Sequence, residues 1–204
     1  MIDRNNLNIN DVVFFHSNGK LREAIVLKKN PKTALVRVNN KRYRVSYSIL
    51  FKNNEINAPF PYFSRTSCDT NEDLFLLLKE VKRDYFNIFE TFSNEQKSLL
   101  DTIRVKWNSR ITYHLGGKYF RTNRNRELRN EILISSSFKN TPKYLIKYLL
   151  YHEILHVKYL NHSKEYRYYE KKFIEYDLAQ DLFRKIMLEV RFFGKERLLK
   201  YIKE

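Results

Sequence analysis

The chain has 204 residues, 43% of them apolar and 15% aromatic, enough for one good core or a core plus a small module. Its formal charge is +16, about +7 over residues 1–60, +6 over 61–151 and +3 over 152–204, which favours polyanionic partners such as nucleic acid or ribosomes over a merely solvated basic surface. Cys68 is the only cysteine, so an intramolecular disulfide and a cysteine-based zinc site are excluded; with no apolar signal core in Met1–Asn6 and no run of membrane-span length, a cytoplasmic protein is expected.

Residues 11–50 read as short strands: Asp11 to Phe15, Glu23 to Leu27, Thr33 to Val38 and Arg42 to Val45. Asn18-Gly19 is a strong hairpin signal, Asn30-Pro31 ends the second strand, and Asn39-Asn40 gives another tight turn. Ala34, Val36 and Val38 alternate with Leu35 and Arg37, the pattern of a half-buried strand. Four or five strands in about forty residues predict a small all-β, SH3-like barrel over residues 1–52. So small a core is marginal alone, so a module that packs on a larger domain is as good a reading as a binding module. His16 reads as an exposed loop residue. Residues 53–71, with Pro59 and Pro61, read as a linker, and Cys68 within it as incidental.

From Glu72 the pattern turns helical. Leu74, Leu77, Leu78, Val81, Tyr85, Ile88, Phe89 and Phe92 recur at helical spacing and predict one broad apolar face. Ser93-Asn94-Glu95-Gln96 matches a capping box and predicts a helix to about Arg104. Val105 to Trp107 and Ile111 to Tyr113 are strand material. Gly116-Gly117 turns the chain, and His114 before it reads as structural or exposed. Lys118, Arg121, Arg124, Arg126 and Arg129 then accompany a single acid, Glu127, with Tyr119 and Phe120 interleaved. Charge for phosphates and flat faces for bases suit single-stranded nucleic acid, so this segment is read as a nucleic-acid-binding loop, with a solvated loop as the alternative. Glu131 to Ser137 predicts a strand, and Asn140-Thr141-Pro142 predicts the cap of the next helix, with proline in its first turn.

That helix, Tyr144 to Leu160, carries His152-Glu153-Ile154-Leu155-His156. Residues four apart share a helix face, so both imidazoles can point at one metal ion. Glu153 lies roughly 100° round the axis from His152, close enough to reach a water on that ion. Asn161 and Ser163 suit a helix end and a new N-cap, so the chain can fold back and bring His162 to the same ion. Three protein ligands leave one zinc position for water, which is the catalytic arrangement. Ser163 starts a further helix with Tyr166, Tyr169, Phe173 and Tyr176 on its face. Leu178, Leu182, Phe183, Ile186 and Val190 continue the apolar stripe to Gly194.

The stretch His152-Glu153-x-x-His156, five residues, then His162-Ser163-Lys164-Glu165-Tyr166 resembles the SprT-like and YgjP-like zinc metallopeptidases. Their pattern is H-E-x-x-H, a short spacer, then a histidine followed four residues later by an aromatic. Val105 to Arg110 resembles the opening strand of the SprT-like domain, Gly116-Gly117-Lys118-Tyr119 its following turn, and Ile132 to Ser135 its edge strand. The resemblance covers about Leu74 to Phe183. It implies an α+β, zincin-like domain over residues 72–204; small barrels precede some bacterial domains of this kind.

The resemblance further implies one zinc ion held by His152, His156 and His162, with Glu153 as general base in peptide hydrolysis. In other zincins the third ligand is an acid on the next helix, here Glu165 or Glu170. Tyr166 is a candidate oxyanion stabiliser, with packing against the metal helix as the other reading. The strand at Ile132 to Ser135 is expected to offer a free edge to extended substrate backbone. Substrates are expected among proteins held on or crosslinked to DNA, under nucleic-acid control. The chain departs from some relatives in lacking a Cys-rich zinc ribbon. Two other classes stay open: a nucleic-acid-binding protein with a structural zinc site and no protease activity, and a scaffold on a degenerate protease fold. Glu153 argues against the former, since a structural site needs no general base.

Overall fold

The computed structural model describes residues 2, 4–17, 20–52, 63–64, 66–108, 115–124, 127–193 and 202–203. Ile111 to His114, Arg126, Gly194 and most of the stretch read as a linker lie outside the described residues. The protein is a mixed α and β structure in two units, Met1–Phe60 and Pro61–Glu204. Among the described residues no helix is long and apolar enough to cross a membrane.

The N-terminal unit is a four-stranded antiparallel meander: β1 (Val12–Ser17), β2 (Lys20–Lys29), β3 (Thr33–Val38) and β4 (Lys41–Ser46), in that order. All four strands expected from the alternation are present. The β3–β4 turn places Asn39 at φ 50°, a left-handed conformation that asparagine tolerates well. A bulge in β2 between Val26 and Lys28 shifts the register against β3. After β4 the chain returns, and Phe51 exchanges two backbone hydrogen bonds with Phe14 of β1. One sheet face is buried: Val13, Phe15, Ala24, Val26, Ala34, Val36 and Val45 close over Leu7 and Leu50.

In the second unit, Thr70 and Asp73 form a reciprocal capping box at the start of helix α1 (Asn71–Asp84). Leu74, Leu77, Leu78 and Val81 face the core, as their spacing predicts. The apolar pattern runs on to Phe92, but the helix does not. Tyr85 leaves helical backbone and separates α1 from the short α2 (Phe86–Phe89). The Tyr85 ring packs on Tyr151 and Phe173, and its hydroxyl accepts the Ile174 amide at 3.1 Å, so tertiary packing overrides the periodicity there. Ser93 and Gln96 form the expected capping box of α3 (Asn94–Thr102).

A three-stranded sheet follows, in the order β6 (Arg104–Asn108), β8 (Glu127–Ser135), β7 (Gly117–Arg124). β6 runs parallel to β8, and β7 runs antiparallel to it. Two expectations are corrected here. The basic segment 118–129 is not a loop: it forms both arms of the β7–β8 hairpin, with Arg121 opposite Asn130 and Thr122 opposite Arg129. The strand containing Ile132 to Ser135 is not an edge strand either; it is central, and among the described residues β6 and β7 form the edges. Buried Ile132 and Ile134 on β8 explain why: a central strand has both ladders paired and its apolar side chains covered.

Helix α4 (Lys143–Leu155) crosses this sheet. Pro142 precedes its first turn without a side-chain cap; Thr141 donates its hydroxyl to the Phe138 carbonyl instead of capping the helix. Helices α5 (Lys164–Glu170) and α6 (Tyr176–Phe193) complete the unit, separated by turns at 171–175 where the aromatic spacing alone predicts one helix. Phe63–Ser64 (β5) pairs in parallel with Ile202–Lys203 (β9). Residues 66–70, read as the end of a linker, belong to this core. Cys68 is buried, its carbonyl accepts the Asn140 amide, and Thr66 donates to the Thr141 carbonyl.

Candidate metal centre

Helix α4 is buried almost all round: Leu145, Ile146, Leu149, Leu150, Ile154 and Leu155 pack into the core. A helix so covered has little rotational freedom, so its polar residues are held at fixed positions. His152 and His156 stand one turn apart with ring centroids 5.3 Å apart. The helix ends at Leu155, short of the Leu160 expected from the sequence; three residues of turn follow, and the chain then returns to Ser163, the expected N-cap. Ser163 accepts the Tyr166 amide and starts α5, which sets His162 beside the other two rings. One nitrogen from each of His152, His156 and His162 lies within 4.8 Å of the others. Nε2 of His162 is 3.2 Å from Nε2 of His152.

The outward-facing nitrogens fix the tautomers. His152 Nδ1 lies 2.7 Å from Glu170 Oε1, and His156 Nδ1 lies 2.8 Å from the Tyr159 carbonyl oxygen. Both partners only accept, so each Nδ1 carries a proton, and in the neutral ring Nε2 keeps a lone pair for the cluster. Burial and the two neighbouring imidazoles pull His162 down to about 4, and burial lowers His156 as well. Neutral imidazoles with converging lone pairs are the donor set that zinc takes. The residues present therefore fit the metal that the sequence pattern implies.

Glu170 is fully buried, and it is not the third member of the cluster. Its carboxylate accepts from His152, from the Tyr148 hydroxyl at 2.7 Å and from Arg167 at 2.6 Å. Burial disfavours its charge, but these hydrogen bonds outweigh that and hold its carboxyl at about 2. Gln180 on α6 donates in turn to Tyr148. Such a carboxylate orients a ligand imidazole and raises its basicity. Glu165, the other acidic candidate, is exposed on α5 and is not part of the cluster.

Glu153 is 4% exposed and reaches the sheet, where its Oε2 accepts the Tyr119 amide at 2.8 Å. Burial pushes its carboxyl up to about 7, against the opposing pull of His152, the Tyr119 amide and Lys118. The two glycines before Tyr119 make this approach possible. A Cβ on Gly117 would sit 2.8 Å from Glu153 Oε1, and one on Gly116 would sit 2.6 Å from the Phe183 ring. They were legible in the sequence as a turn, but their requirement here is closeness. The edge strand β7, α4 and the histidines enclose a cleft of about 660 Å³ lined also by Lys118, Leu160 and Arg167.

Tyr166 is not among the residues lining this cleft. It is fully buried, its hydroxyl donates to the His152 carbonyl at 3.0 Å, and its ring stacks on His156 at 4.9 Å. The oxyanion role considered for it gives way to packing against the metal helix. The basic hairpin residues also have partners. Arg121 pairs with Glu95 at 2.6 Å, Arg129 pairs with Glu131 at 2.7 Å, and Lys118 lies 4.6 Å over the Phe120 ring. Glu131 also takes Lys106, and Tyr119 donates its hydroxyl to Asn130 rather than presenting it to a base. The side chain of Arg124, like Arg126, lies outside the described residues. Glu170, Arg167 and the Tyr119 amide are the site features that spacing did not assign; only Glu170 carried a signal, as a competing ligand.

The family described as a domain of unknown function (DUF7205) matches residues 5–57, which leaves the histidine cluster outside the match. No curated protein matches the chain. No solved structure matches it either.

Proposed function

We propose that the second unit is a zincin-like, zinc-dependent peptidase, and that the N-terminal unit is a small SH3-like barrel. The observation that carries the reading is the meeting of three imidazoles with a buried glutamate between an open cleft and a sheet edge. His152, His156 and His162 would hold one zinc ion. Bound there, zinc supplies Lewis acidity, polarising a carbonyl and lowering the pKa of water. Glu153 takes the proton of the attacking water and passes it to the leaving amine. Lys118 and Arg167 line the cleft and supply positive charge for a developing oxyanion. β7 has no strand on its outer side among the described residues, so an extended peptide can pair there. The resemblance to SprT-like enzymes points to proteins held on nucleic acid as substrates.

A structural zinc site with a nucleic-acid-binding role is the competing reading. A closed structural site uses four protein ligands, whereas the described residues offer three beside a cleft. Metal analysis together with cleavage of an unfolded protein decides between them. The peptidase reading expects one zinc per chain, cleavage by the loaded protein, loss with a chelator and recovery with added zinc. One zinc per chain with no cleavage of any unfolded substrate would favour the structural site.

A further inference from the structure

The N-terminal sheet carries a basic face without ion-pair partners among the described residues. Cross-strand partners share a face, so the register assigns each side chain to the core or the outside. Ala34, Val36, Val38 and Val45 are buried. Between them, Leu35 and Arg37 on β3 and Arg42 and Arg44 on β4 take the other face, with Arg37 opposite Arg42 and Leu35 opposite Arg44. β2 adds Lys28 opposite Leu35 and Ile25 opposite Arg37. Lys28, Arg37, Arg42 and Arg44 are all exposed, whereas Ile25 and Leu35 are half-buried among them.

Two arginines directly across a ladder, about 5 Å apart at Cβ, repel one another and destabilise the pair. The second unit gives the exposed Arg121 and the half-exposed Lys97 and Lys185 acidic partners. Among the described residues, none of the four cations on this face has an ion-pair partner, and the one acid on the face is Glu23, opposite Phe14.

We propose that this face binds the phosphate backbone of duplex nucleic acid. Guanidinium forks match phosphate oxygens in two-point contacts. Arg42 and Arg44 lie about 6.7 Å apart along the strand, two residues of rise. Arg37 lies one cross-strand step away, and the roughly 6.7 Å between Arg42 and Arg44 is about twice the axial phosphate spacing of about 3.4 Å per strand, so the two can meet every second phosphate. Among the described side chains the face has one ring, the half-buried Phe14, and no exposed aromatic on which unpaired bases could stack, which favours a duplex over a single strand. Ile25 and Leu35 are half-buried among the cations, and the exposed Val12 and Leu21 stand apart towards opposite ends of the β1–β2 pairing, so the face lacks the broad apolar stripe that inserts into a lipid surface. The surface belongs to the N-terminal unit and stands whether or not the histidine cluster is catalytic.

The test uses the full chain and a fluorescent 20-base-pair duplex of mixed sequence, with affinity measured across a salt series. Each phosphate contact contributes about −0.9 to the log–log slope. The variant Arg37→Ser/Arg42→Ser/Arg44→Ser should flatten the wild-type slope by about 2.7. Replacing the same three residues by lysine should keep most of the slope, and Arg121→Ser/Arg129→Ser should leave it nearly unchanged. The serine variant removes a repulsive pair, so its melting temperature should not fall, and misfolding is thereby separated from lost contacts. An unchanged slope in the folded triple serine variant overturns the proposal. So does Arg37/Arg42/Arg44-dependent binding that appears with anionic vesicles or polyglutamate but not with the duplex.

Discussion

In the N-terminal unit every buried side chain among the described residues is apolar, from Ile2 to Phe51, and Lys28, Arg37, Arg42 and Arg44 stand exposed without an ion-pair partner among the described residues. In the second unit Asn130, Glu131, Glu153 and Glu170 are buried, and each has partners: Tyr119 and Leu99 for Asn130, Lys106 and Arg129 for Glu131, the Tyr119 amide for Glu153, and His152, Tyr148 and Arg167 for Glu170. Burying a polar group is unfavourable unless it is hydrogen-bonded, and a lone buried charge more so. The second unit accepts that constraint where side chains must be held at fixed positions. The first unit keeps its charge where it can meet a partner.

The largest effect that separates the units is metal removal. Chelation should abolish cleavage and lower the melting temperature of the second unit alone. An ion present at about a thousand times its Kd adds about 4 kcal/mol to the folded state. Calorimetry should therefore show one transition moving and one staying; equal shifts in both would break the comparison. The converse variant is Leu50→Ala, which removes a fully buried side chain from the smaller core. It should cost roughly 2–5 kcal/mol and melt the N-terminal unit while zinc content stays constant.

These contrasts were partly legible in the residues. The strands of the first unit follow from alternation and from Asn-rich turns, and the capping box at Ser93 from its own side chains. His152, His156 and His162 converge as their spacing predicts, although the helix ends at Leu155 and not at Asn161. The basic hairpin reads as a loop in the sequence because Arg121, Arg124 and Arg129 dilute the alternation of β7 and β8; Arg121 finds Glu95 on α3, and Arg129 finds Glu131 two residues along β8. The role of Glu170 could not be read from spacing. A carboxylate on the next helix can reach the metal position or the far nitrogen of a ligand imidazole, and the return of the chain after Leu155 decides which. The break at Tyr85 depends on Tyr151 and Phe173, far along the sequence.

A smaller effect sharpens the account of buried charge. Glu170→Gln keeps the size of the side chain but weakens its hold on His152 and Arg167. Zinc affinity, measured by competition with a chromophoric chelator, should fall about 10–100-fold with the fold intact. In the same assay His162→Ala should lose zinc and Glu165→Ala should not; full occupancy in His162→Ala would refute the three-histidine site. The smallest effect is expected at the surface. Arg121→Ser breaks an exposed pair with Glu95, and urea denaturation should show a change under about 1 kcal/mol. A much larger loss would mean that the hairpin's ion pairs carry structure and not only charge neutralisation.

The proposed peptidase depends on Glu153 as its proton acceptor. The decisive measurement is the cleavage rate of an unstructured peptide by wild-type and Glu153→Gln proteins at equal, verified zinc content. Glutamine keeps the size of the side chain and can still accept the Tyr119 amide, but it cannot take a proton from water. The rate should fall by about 10²–10⁴ while zinc stays bound. A zinc-loaded Glu153→Gln protein that cleaves as fast as the wild type would contradict the account.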